Sequence, residues 1–406
     1  MIRRDATTQL DKRTHQADYS LTVIVLMLIG IGMIMLYATG GIVSLNLSGG
    51  EIDRNTYFSS QSISLLIGII GWYIAARIPY HRWQKYAPYL FYGSVILMFL
   101  VIIPGLAQST KGAARWVKLG PINFQPVEFF KLGLVLYLAS WLEKNKNNLK
   151  NLTTGLIPFL LIIAVAGFLS MVVQKDMGSG MVLIGMALSV YFVSGVPFWL
   201  FGSVLGIFTL GGISMIILYP HRLERITTFV NHTDDPSGAG YHINQALIAL
   251  GSGGMLGRGL GKSLQAYGYL PESTNDSIFA LIGEQFGLWG TLLVIMLFAF
   301  LVYRGMQISR YAPDSFSKSL AIGITAWIGF QALINIAAML NLIPLTGIPL
   351  PFISFGGTSL LASLVGIGIL QNISKFTFRE VAHATRGVGR GNSRSYIASS
   401  RRTRRA

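Results

Sequence analysis

The chain has 406 residues, of which 52% are hydrophobic and 12% are charged, and it carries a net charge of +16. A soluble domain has about 25% charged residues, so this composition excludes an ordinary soluble protein and indicates an integral membrane protein. The sequence contains no cysteine, which excludes disulfides and thiolate metal sites, and its six histidines lack the spacing of metal ligands.

Uncharged stretches divide the chain into segments long enough to cross a bilayer, which takes roughly 20 mostly apolar residues. We predict an all-α polytopic membrane protein with about ten transmembrane helices in a membrane domain of residues 19–375. A polar tail (1–18) precedes this domain and a basic tail (376–406) follows it. The predicted spans lie in residues 19–50, 55–76, 86–104, 126–142, 155–173, 177–220 (two spans), 285–303 and 319–374 (two spans).

The distribution of Lys and Arg predicts the orientation of the spans. Segments on the side of the N-terminus hold 22 of these residues and the opposite loops hold 9, so the positive-inside rule places both termini in the cytoplasm. The loops 105–125, 174–176 and 220–275 then face outward, the last being a large loop between spans seven and eight. In a membrane protein the basic tail suits anionic headgroups better than nucleic acid, so we predict no nucleic-acid partner.

The outer loop before span four combines cations with a tryptophan. Lys111, Arg115 and Lys118 surround Trp116. Such cations suit a phosphate-bearing lipid headgroup, to which Arg gives bidentate contacts. The alternative is a positive loop with an interfacial Trp anchor, and the residue types leave both interpretations open.

Further polar residues lie at the next two membrane boundaries. Gln125, Glu128 and Lys131 follow as the chain enters span four. Glu128 and Lys131 are three residues apart, a spacing that favours mutual neutralisation on one helix face. Gln174 and Asp176 occupy the short turn before span six. A carboxylate there suits the mouth of a cavity, but the turn alone favours a solvated pair with the preceding lysine.

Six glycines lie within residues 251–261 of the large loop. They permit a phosphate cradle, but the spacing matches neither the P-loop nor the Rossmann pattern, and no strand precedes them. A flexible or tightly turned loop accounts for them equally well. His242 stands alone in the same loop and is interpreted as structural.

Two carboxylates, Glu272 and Asp276, stand four residues apart just before span eight. Carboxylates at a membrane boundary are costly to desolvate, which makes them functional candidates. The alternative for Asp276 is a helix capping box over residues 273–276, where the helix dipole favours an acid. Glu284 lies roughly 12 Å deeper if the helix is continuous. Its alternative is a pair with a Lys or Arg of another span.

Prolines and a glycine interrupt the apolar sequence at residues 344–351, and Ser354 follows. Non-helical backbone at membrane depth is tolerated where it lines a cavity or is buried in protein. We therefore expect the last two spans to flank a polar cavity.

These segments together resemble the SEDS family of shape, elongation, division and sporulation proteins. The resemblance is carried, in family order, by residues 111–131 (beginning KGAARWVKLG), 174–178 (QKDMG), 240–261, 269–287 (beginning YLPESTNDSIF) and 344–359 (PLTGIPLPFISFGGTS). The GSGG, GRGLGKS and YLPE motifs resemble the FtsW branch more than RodA.

The resemblance implies a peptidoglycan glycosyltransferase that polymerises lipid II during septal cell-wall synthesis. It matches Asp276 to the family's essential outward-facing aspartate, which implies a catalytic role. A lipid II flippase, a RodA-like elongation polymerase and a scaffold without chemistry remain as alternatives. The candidate substrate-binding residues are Lys111, Arg115, Trp116, Gln125, Glu128, Lys131, Gln174, Asp176, Glu272, Glu284 and Ser354.

The resemblance also implies partners: a class B penicillin-binding protein acting as transpeptidase, and other division proteins. It leaves open a divalent cation, Mg²⁺ or Mn²⁺, at the pyrophosphate. The chain departs from the family pattern where Thr274 and Asn275 replace a usual His-Thr and Ser277 a usual Phe, where Lys175 replaces a proline, and where Ser60 replaces a basic residue. These departures bear on substrate detail and leave the implied class unchanged.

Overall fold

Helices account for most of the computed structural model, which describes residues 16–48, 56–110, 113–119, 122–218, 227–229 and 238–377. Predictions for Lys111, for residues 1–15 and for residues 378–406 lie outside the described residues. The helices are α1 Tyr19–Ser48, α2 Thr56–Arg77, α3 Tyr80–Phe99, α4 Pro126–Lys144, α5 Ile157–Phe168, α6 Met177–Val193, α7 Phe198–Leu218, α8 Ala239–Gly253, α9 Ile278–Arg310, α10 Ser315–Met339 and α11 Gly357–Ser374.

Local sequence accounts for several helix ends. Helix α4 has Pro126 in its first turn, where the missing N–H removes no hydrogen bond. Helix α10 begins with a capping box, in which the Asp314 carboxylate accepts from the Ser317 N–H at 2.8 Å and the Ser317 hydroxyl accepts from the Asp314 N–H. After α6 the chain turns at Gly195, whose φ of 79° suits glycine.

Helix α10 lies at the centre of the bundle. It packs against α4, α6, α9 and α11, and its Trp327 is fully buried. Helix α2 presents a row of exposed apolar side chains, including Ile63, Leu66 and Ile70. Exposed apolar surface of this extent suits lipid contact rather than water.

Seven segments in the described ranges are long and apolar enough to cross a membrane: Tyr19–Gly41, Thr56–Arg77, Tyr80–Ile102, Leu152–Val173, Ile278–Arg310, Ser315–Met339 and Gly357–Ser374. The other three predicted spans coincide with α4, α6 and α7. The helical, polytopic fold class is confirmed, and the chain is an integral membrane protein.

Three features differ from the sequence-based expectation. The outer loop before α4 holds an antiparallel sheet, β1 Ala107–Thr110, β2 Ala113–Leu119 and β3 Ile122–Phe124. The large loop contains helix α8. Helix α9 is not continuous, because Gly287 interrupts it with φ 67° and ψ −159°. This charged loop at the membrane boundary is not helical, so its backbone N–H and C=O groups lack helical hydrogen-bond partners. The sheet forms because pairing between the strands provides those partners.

Candidate active site

Asp276 lies in a tight turn just before α9 and not in its first helical turn. Helix α9 begins at Ile278 with Ser277 as its N-cap, and the Ser277 side chain makes no capping hydrogen bond to the first turn of the helix. The N–H groups of Asn275 and Ser277 both donate to the Glu272 carbonyl, at 3.0 and 3.2 Å. The capping-box alternative for residues 273–276 is therefore wrong, because the helix begins only at Ile278 and its N-cap is Ser277 rather than Ser273.

The Asp276 carboxylate and the Arg115 guanidinium meet beside Gly347. A Cβ atom built on Gly347 would lie 3.6 Å from Asp276 Oδ2 and 3.9 Å from Arg115 Nη1. Gly347 has a φ of 70° and carries no side chain to fill this space. The fold thus brings an acid and a cation from distant parts of the chain to one point on the non-helical segment before α11.

Arg115 is held in place by the turn before α6. It projects from β2, and its Nη2 donates to the Lys175 carbonyl at 2.9 Å. Lys175 has a φ of 55°, which turns its carbonyl out of the regular helical direction. The buried Nε of Arg115 has no hydrogen-bond partner in the part of the chain that the structure describes. The neighbouring Trp116 is half-buried and pairs with Gln108 across the sheet.

The predicted Glu128–Lys131 pair is confirmed inside α4. The Lys131 Nζ lies 2.8 Å from Glu128 Oε1, and both side chains are almost fully buried. Lys131 also donates to Gln331 Oε1 on α10 at 2.8 Å. The other oxygen of Glu128 is buried, and no described residue donates a hydrogen bond to it. The pair thus joins α4 to α10 and is not confined to one helix.

Two amides of α10 that sequence reasoning missed connect this pair to the site. Gln331 Nε2 donates to the Pro349 carbonyl at 3.0 Å. Asn335 Nδ2 donates to the Asp276 carbonyl at 2.7 Å and to the Ile348 carbonyl at 2.8 Å. The available signal was two uncharged polar residues four positions apart in an apolar span, which places them on one helix face.

Gln174 and Asp176 are buried on either side of Lys175 in the chain, the residue whose carbonyl accepts the hydrogen bond from Arg115. The Asp176 carboxylate caps α6, accepting from the Ser179 N–H at 3.1 Å and from its hydroxyl at 2.8 Å. A solvated pair with the preceding lysine is therefore wrong, since only 1% of Asp176 is exposed. Gln174 donates to Met98 Sδ at 3.1 Å, while its Oε1 is buried and finds no hydrogen-bond donor within the described ranges.

The predicted break before α11 is a non-helical segment, residues 344–356, held by several helices. The Gln61 amide of α2 donates to the Ser354 carbonyl at 3.3 Å and accepts from the Gly356 N–H at 3.2 Å. The Ser354 hydroxyl accepts from the Leu350 N–H at 2.8 Å, so in the structure this side chain stabilises the non-helical segment.

The two remaining candidate residues are Gln125 and Glu272. The Gln125 N–H donates to Thr358 Oγ1 at 3.3 Å, and Glu272 Oε2 accepts from the Asn275 amide at 2.7 Å.

Among the described residues, Glu284 does not pair with a Lys or Arg of another span. Its fully buried carboxylate accepts hydrogen bonds from the Ser263 hydroxyl and from the N–H of Leu264, the latter at 2.8 Å. The adjacent Gln285 side chain accepts from the Gly261 N–H at 3.1 Å. The Glu284 and Gln285 side chains therefore accept hydrogen bonds from loop groups that a phosphate cradle would need as donors to the phosphate.

Four of the six glycines of residues 251–261 form tight turns against the break in α9, as one of the two alternatives predicted, while Gly251 and Gly253 lie in α8. Gly254, Gly257, Gly259 and Gly261 all have positive φ. His242 contacts the Ser277 hydroxyl at 2.6 Å, in keeping with a structural role.

A divalent cation finds no ready ligand set in the described ranges. No three His, Cys, Asp or Glu side chains come together there in a way that could hold a metal ion.

Comparison with known proteins identifies relatives over nearly the whole chain. Residues 19–379 match the model of the FtsW, RodA and SpoVE family, described as cell cycle proteins. Stage V sporulation protein E of Bacillus subtilis (strain 168) is 36% identical over 363 residues, covering 89% of this chain and 97% of the relative. A probable peptidoglycan glycosyltransferase FtsW of Geobacter sp. (strain M18) is 36% identical over 366 residues, with 89% and 98% covered.

Two solved structures share the fold. The rod shape determining protein RodA of Thermus thermophilus superposes with a TM-score of 0.65 at 24% identity, covering 89% of this chain and 98% of that one. A chain from a structure titled as the coordination of polymerization and crosslinking by a peptidoglycan synthase complex gives a TM-score of 0.71 at 23% identity, covering 90% and 99%. At these sequence identities, both solved structures show only that the helical fold is shared.

Proposed function

We propose that this chain, which belongs to the FtsW/RodA/SpoVE family of cell cycle proteins, is a peptidoglycan glycosyltransferase that polymerises lipid II. The observation that carries the proposal is the meeting of Asp276 and Arg115 beside Gly347. A general base next to a cation suits a reaction in which a hydroxyl loses a proton and a pyrophosphate leaves. The relatives named as probable peptidoglycan glycosyltransferases support the same activity.

In the proposed reaction, a growing glycan on a lipid pyrophosphate is the donor and lipid II is the acceptor. The Asp276 carboxylate takes the proton of the acceptor's GlcNAc 4-hydroxyl. The hydroxyl oxygen then forms a bond to the donor's anomeric carbon and inverts it, while the bond from that carbon to the pyrophosphate oxygen breaks. The pyrophosphate leaves with its lipid, and the Arg115 guanidinium stabilises the negative charge it gains.

The proposal extends to orientation and partners. The two tails (1–18 and 376–406) are cytoplasmic, and Asp276 faces outward, on the side where the loops 105–125 and 220–275 lie.

The FtsW-named relatives favour a role in septal synthesis. A class B penicillin-binding protein is the expected partner, because extruded glycan requires crosslinking. One structural neighbour comes from a peptidoglycan synthase complex that is described as coordinating polymerization and crosslinking. Other division proteins complete the expected assembly.

The deciding experiment is glycan polymerisation from purified lipid II in detergent, with and without the cognate transpeptidase, comparing the wild type with Asp276→Asn. We expect polymer from the wild type only, because the amide keeps the shape of the side chain but cannot accept the proton. Thermal unfolding of both proteins in detergent serves as the folding control.

Other outcomes of this experiment are equally informative. Equal polymer from both proteins would remove Asp276 from the mechanism. If the wild type makes no polymer with its partner, but transfers labelled lipid II across a vesicle membrane in both forms, the flippase alternative replaces the proposal.

A further inference from the structure

Residues 254–264, here called the interfacial segment, expose large apolar side chains. Leu256 is 82% exposed and Met255 is 61% exposed, and Leu260 and Leu264 are also exposed. The segment contains Arg258 and Lys262 but no acidic residue. Exposed leucines grouped on one short loop require a covering surface, since water penalises apolar area of this size.

Hydrogen bonds fix the interfacial segment against the break in α9. The Leu288 N–H donates to the Gly254 carbonyl at 2.9 Å, and the Gly259 N–H donates to the Gln285 carbonyl at 3.0 Å. A Cβ on Gly287 would lie only 2.5 Å from the Gly257 nitrogen. The interfacial segment therefore lies at the same depth in the membrane as residues 285–288 of α9.

Helix length places that part of α9 just inside the edge of the hydrocarbon core of the bilayer. The opposite boundary is marked by Arg304, which pairs with Asp18 just before α1 begins. From Leu288 to Tyr303 the helix rises about 23 Å at 1.5 Å per residue, while the hydrocarbon core is about 30 Å thick. Leu288 thus lies inside the far boundary of the core. The neighbouring Trp289 is 60% exposed, as expected for an interfacial tryptophan.

We propose that the interfacial segment docks into the phospholipid leaflet on the side where α9 begins. Met255, Leu256, Leu260 and Leu264 enter the acyl boundary, and the exposed Arg258 and Lys262 meet lipid phosphates. The leaflet is the occupant that fits, because the patch is continuous with the exposed α9 surface at Trp289 and carries only positive charge.

The docking anchors the chain leading to the proposed active site without depending on that site's chemistry. The last two residues of the segment, Ser263 and Leu264, are held by hydrogen bonds to Glu284. The chain then runs to the turn that carries Asp276. Lipid contact at Leu256 therefore restrains the loop from which the catalytic turn is built.

The experiment uses the full chain in lipid nanodiscs, and the absence of native cysteine permits single-site labelling. Leu256→Cys is labelled with the environment-sensitive fluorophore NBD, and quenching is measured with lipids carrying a spin label near the headgroup or deep in the acyl chain. The controls are Asn147→Cys, exposed in the polar loop after α4, and Leu293→Cys, exposed on α9 beyond Trp289.

We expect the shallow spin label to quench position 256 at least threefold more strongly than position 147, and the deep label to quench position 293 most. Quenching at 256 as weak as at 147 would overturn the proposal. A blue-shifted emission without lipid quenching would also overturn it, since it would show burial against protein. Adding Arg258→Gln and Lys262→Gln should reduce quenching at 256 in phosphatidylglycerol but not in phosphatidylcholine. No reduction in phosphatidylglycerol would refute the role of the cations.

Discussion

Asn335 contributes to the site through the backbone. Its amide bridges the carbonyls of Asp276 and Ile348, at 2.7 and 2.8 Å. It therefore sets the separation between the turn that carries the carboxylate and the segment that carries Gly347. Its own Oδ1 is buried and has no hydrogen-bond partner among the described residues, which indicates that the bridge is maintained at some cost in stability.

We expect Asn335→Ala to slow polymerisation at least tenfold, because a displacement of about 1 Å at a reacting group costs about 100-fold in rate. The matched control is Asn372→Ala, whose side chain bridges Ala76 and Tyr80 at the other end of the molecule, both at 3.0 Å. Both variants should unfold at lower temperature in detergent. An equal loss of activity in the two would contradict a specific role for Asn335.

The buried Glu128–Lys131 pair allows a second test at this scale. Lys131→Met should destabilise the protein by about 3–5 kcal/mol, because it leaves a buried carboxylate without its cation. The double variant Glu128→Gln with Lys131→Met should recover most of that loss, since no charge remains. Thermal unfolding in detergent measures both, and a double variant as unstable as the single one would show that the charge is not the cause.

At the scale of elements, the non-helical segment 344–356 is the piece around which the site is built. The Gln61 amide holds its end, Asn335 holds its middle, and the Phe355 N–H donates to the Thr274 carbonyl at 2.9 Å. Gly178 of α6 packs against it so closely that an added Cβ would lie 2.5 Å from Ile348. Four neighbouring elements thus hold an irregular backbone in one conformation.

Gly347→Ala should lower polymerisation strongly, because the new methyl group enters the space between Asp276 and Arg115 and because φ 70° strains a residue with a Cβ by about 1–2 kcal/mol. Gly356→Ala is the control, since its φ of 166° is extended and its Cβ would meet Ser359 at an ordinary 3.8 Å. Polymerisation assays at matched protein concentration compare the two. Unchanged activity in Gly347→Ala would place substrate elsewhere.

At the scale of the whole molecule, long-range hydrogen bonds also close the end opposite to Asp276. Asp18 pairs with Arg304 of α9, and its N–H donates to the Ser374 hydroxyl of α11 at 3.0 Å. Gln371 of α11 donates to Thr22 of α1 and accepts from Trp72 of α2, both at 2.9 Å. The first and last helices are thereby fixed to each other, which keeps the bundle closed while the other end remains polar.

We expect Asp18→Ala to lower the unfolding temperature in detergent, because it leaves the largely buried Arg304 without its carboxylate, at a cost of about 1–3 kcal/mol. Polymerisation by the folded protein should be unchanged, since the pair is far along α9 from Asp276. The variant therefore also serves as the stability-matched control for Asp276→Asn. Loss of polymerisation in a folded Asp18→Ala protein would indicate coupling between the two ends.

Much of the fold followed from local properties of the sequence. The number and order of apolar segments predicted the helices, because the cost of placing charge in hydrocarbon is paid residue by residue and needs no knowledge of neighbours. The spacing of Glu128 and Lys131 predicted their contact, because three positions along a helix fix the distance. Asp276 was identifiable as a candidate by its place at a membrane boundary.

The tertiary structure decided what those residues contact. Arg115 and Asp276 meet at Gly347 although they belong to separate segments, and Asn335 supplies the hydrogen bonds that hold two of those segments together. Glu284 accepts from loop backbone groups because α9 breaks at Gly287 and the loop folds against the break. Such contacts depend on how helices distant in sequence pack in space, and packing of that kind leaves no periodic signal in a single sequence.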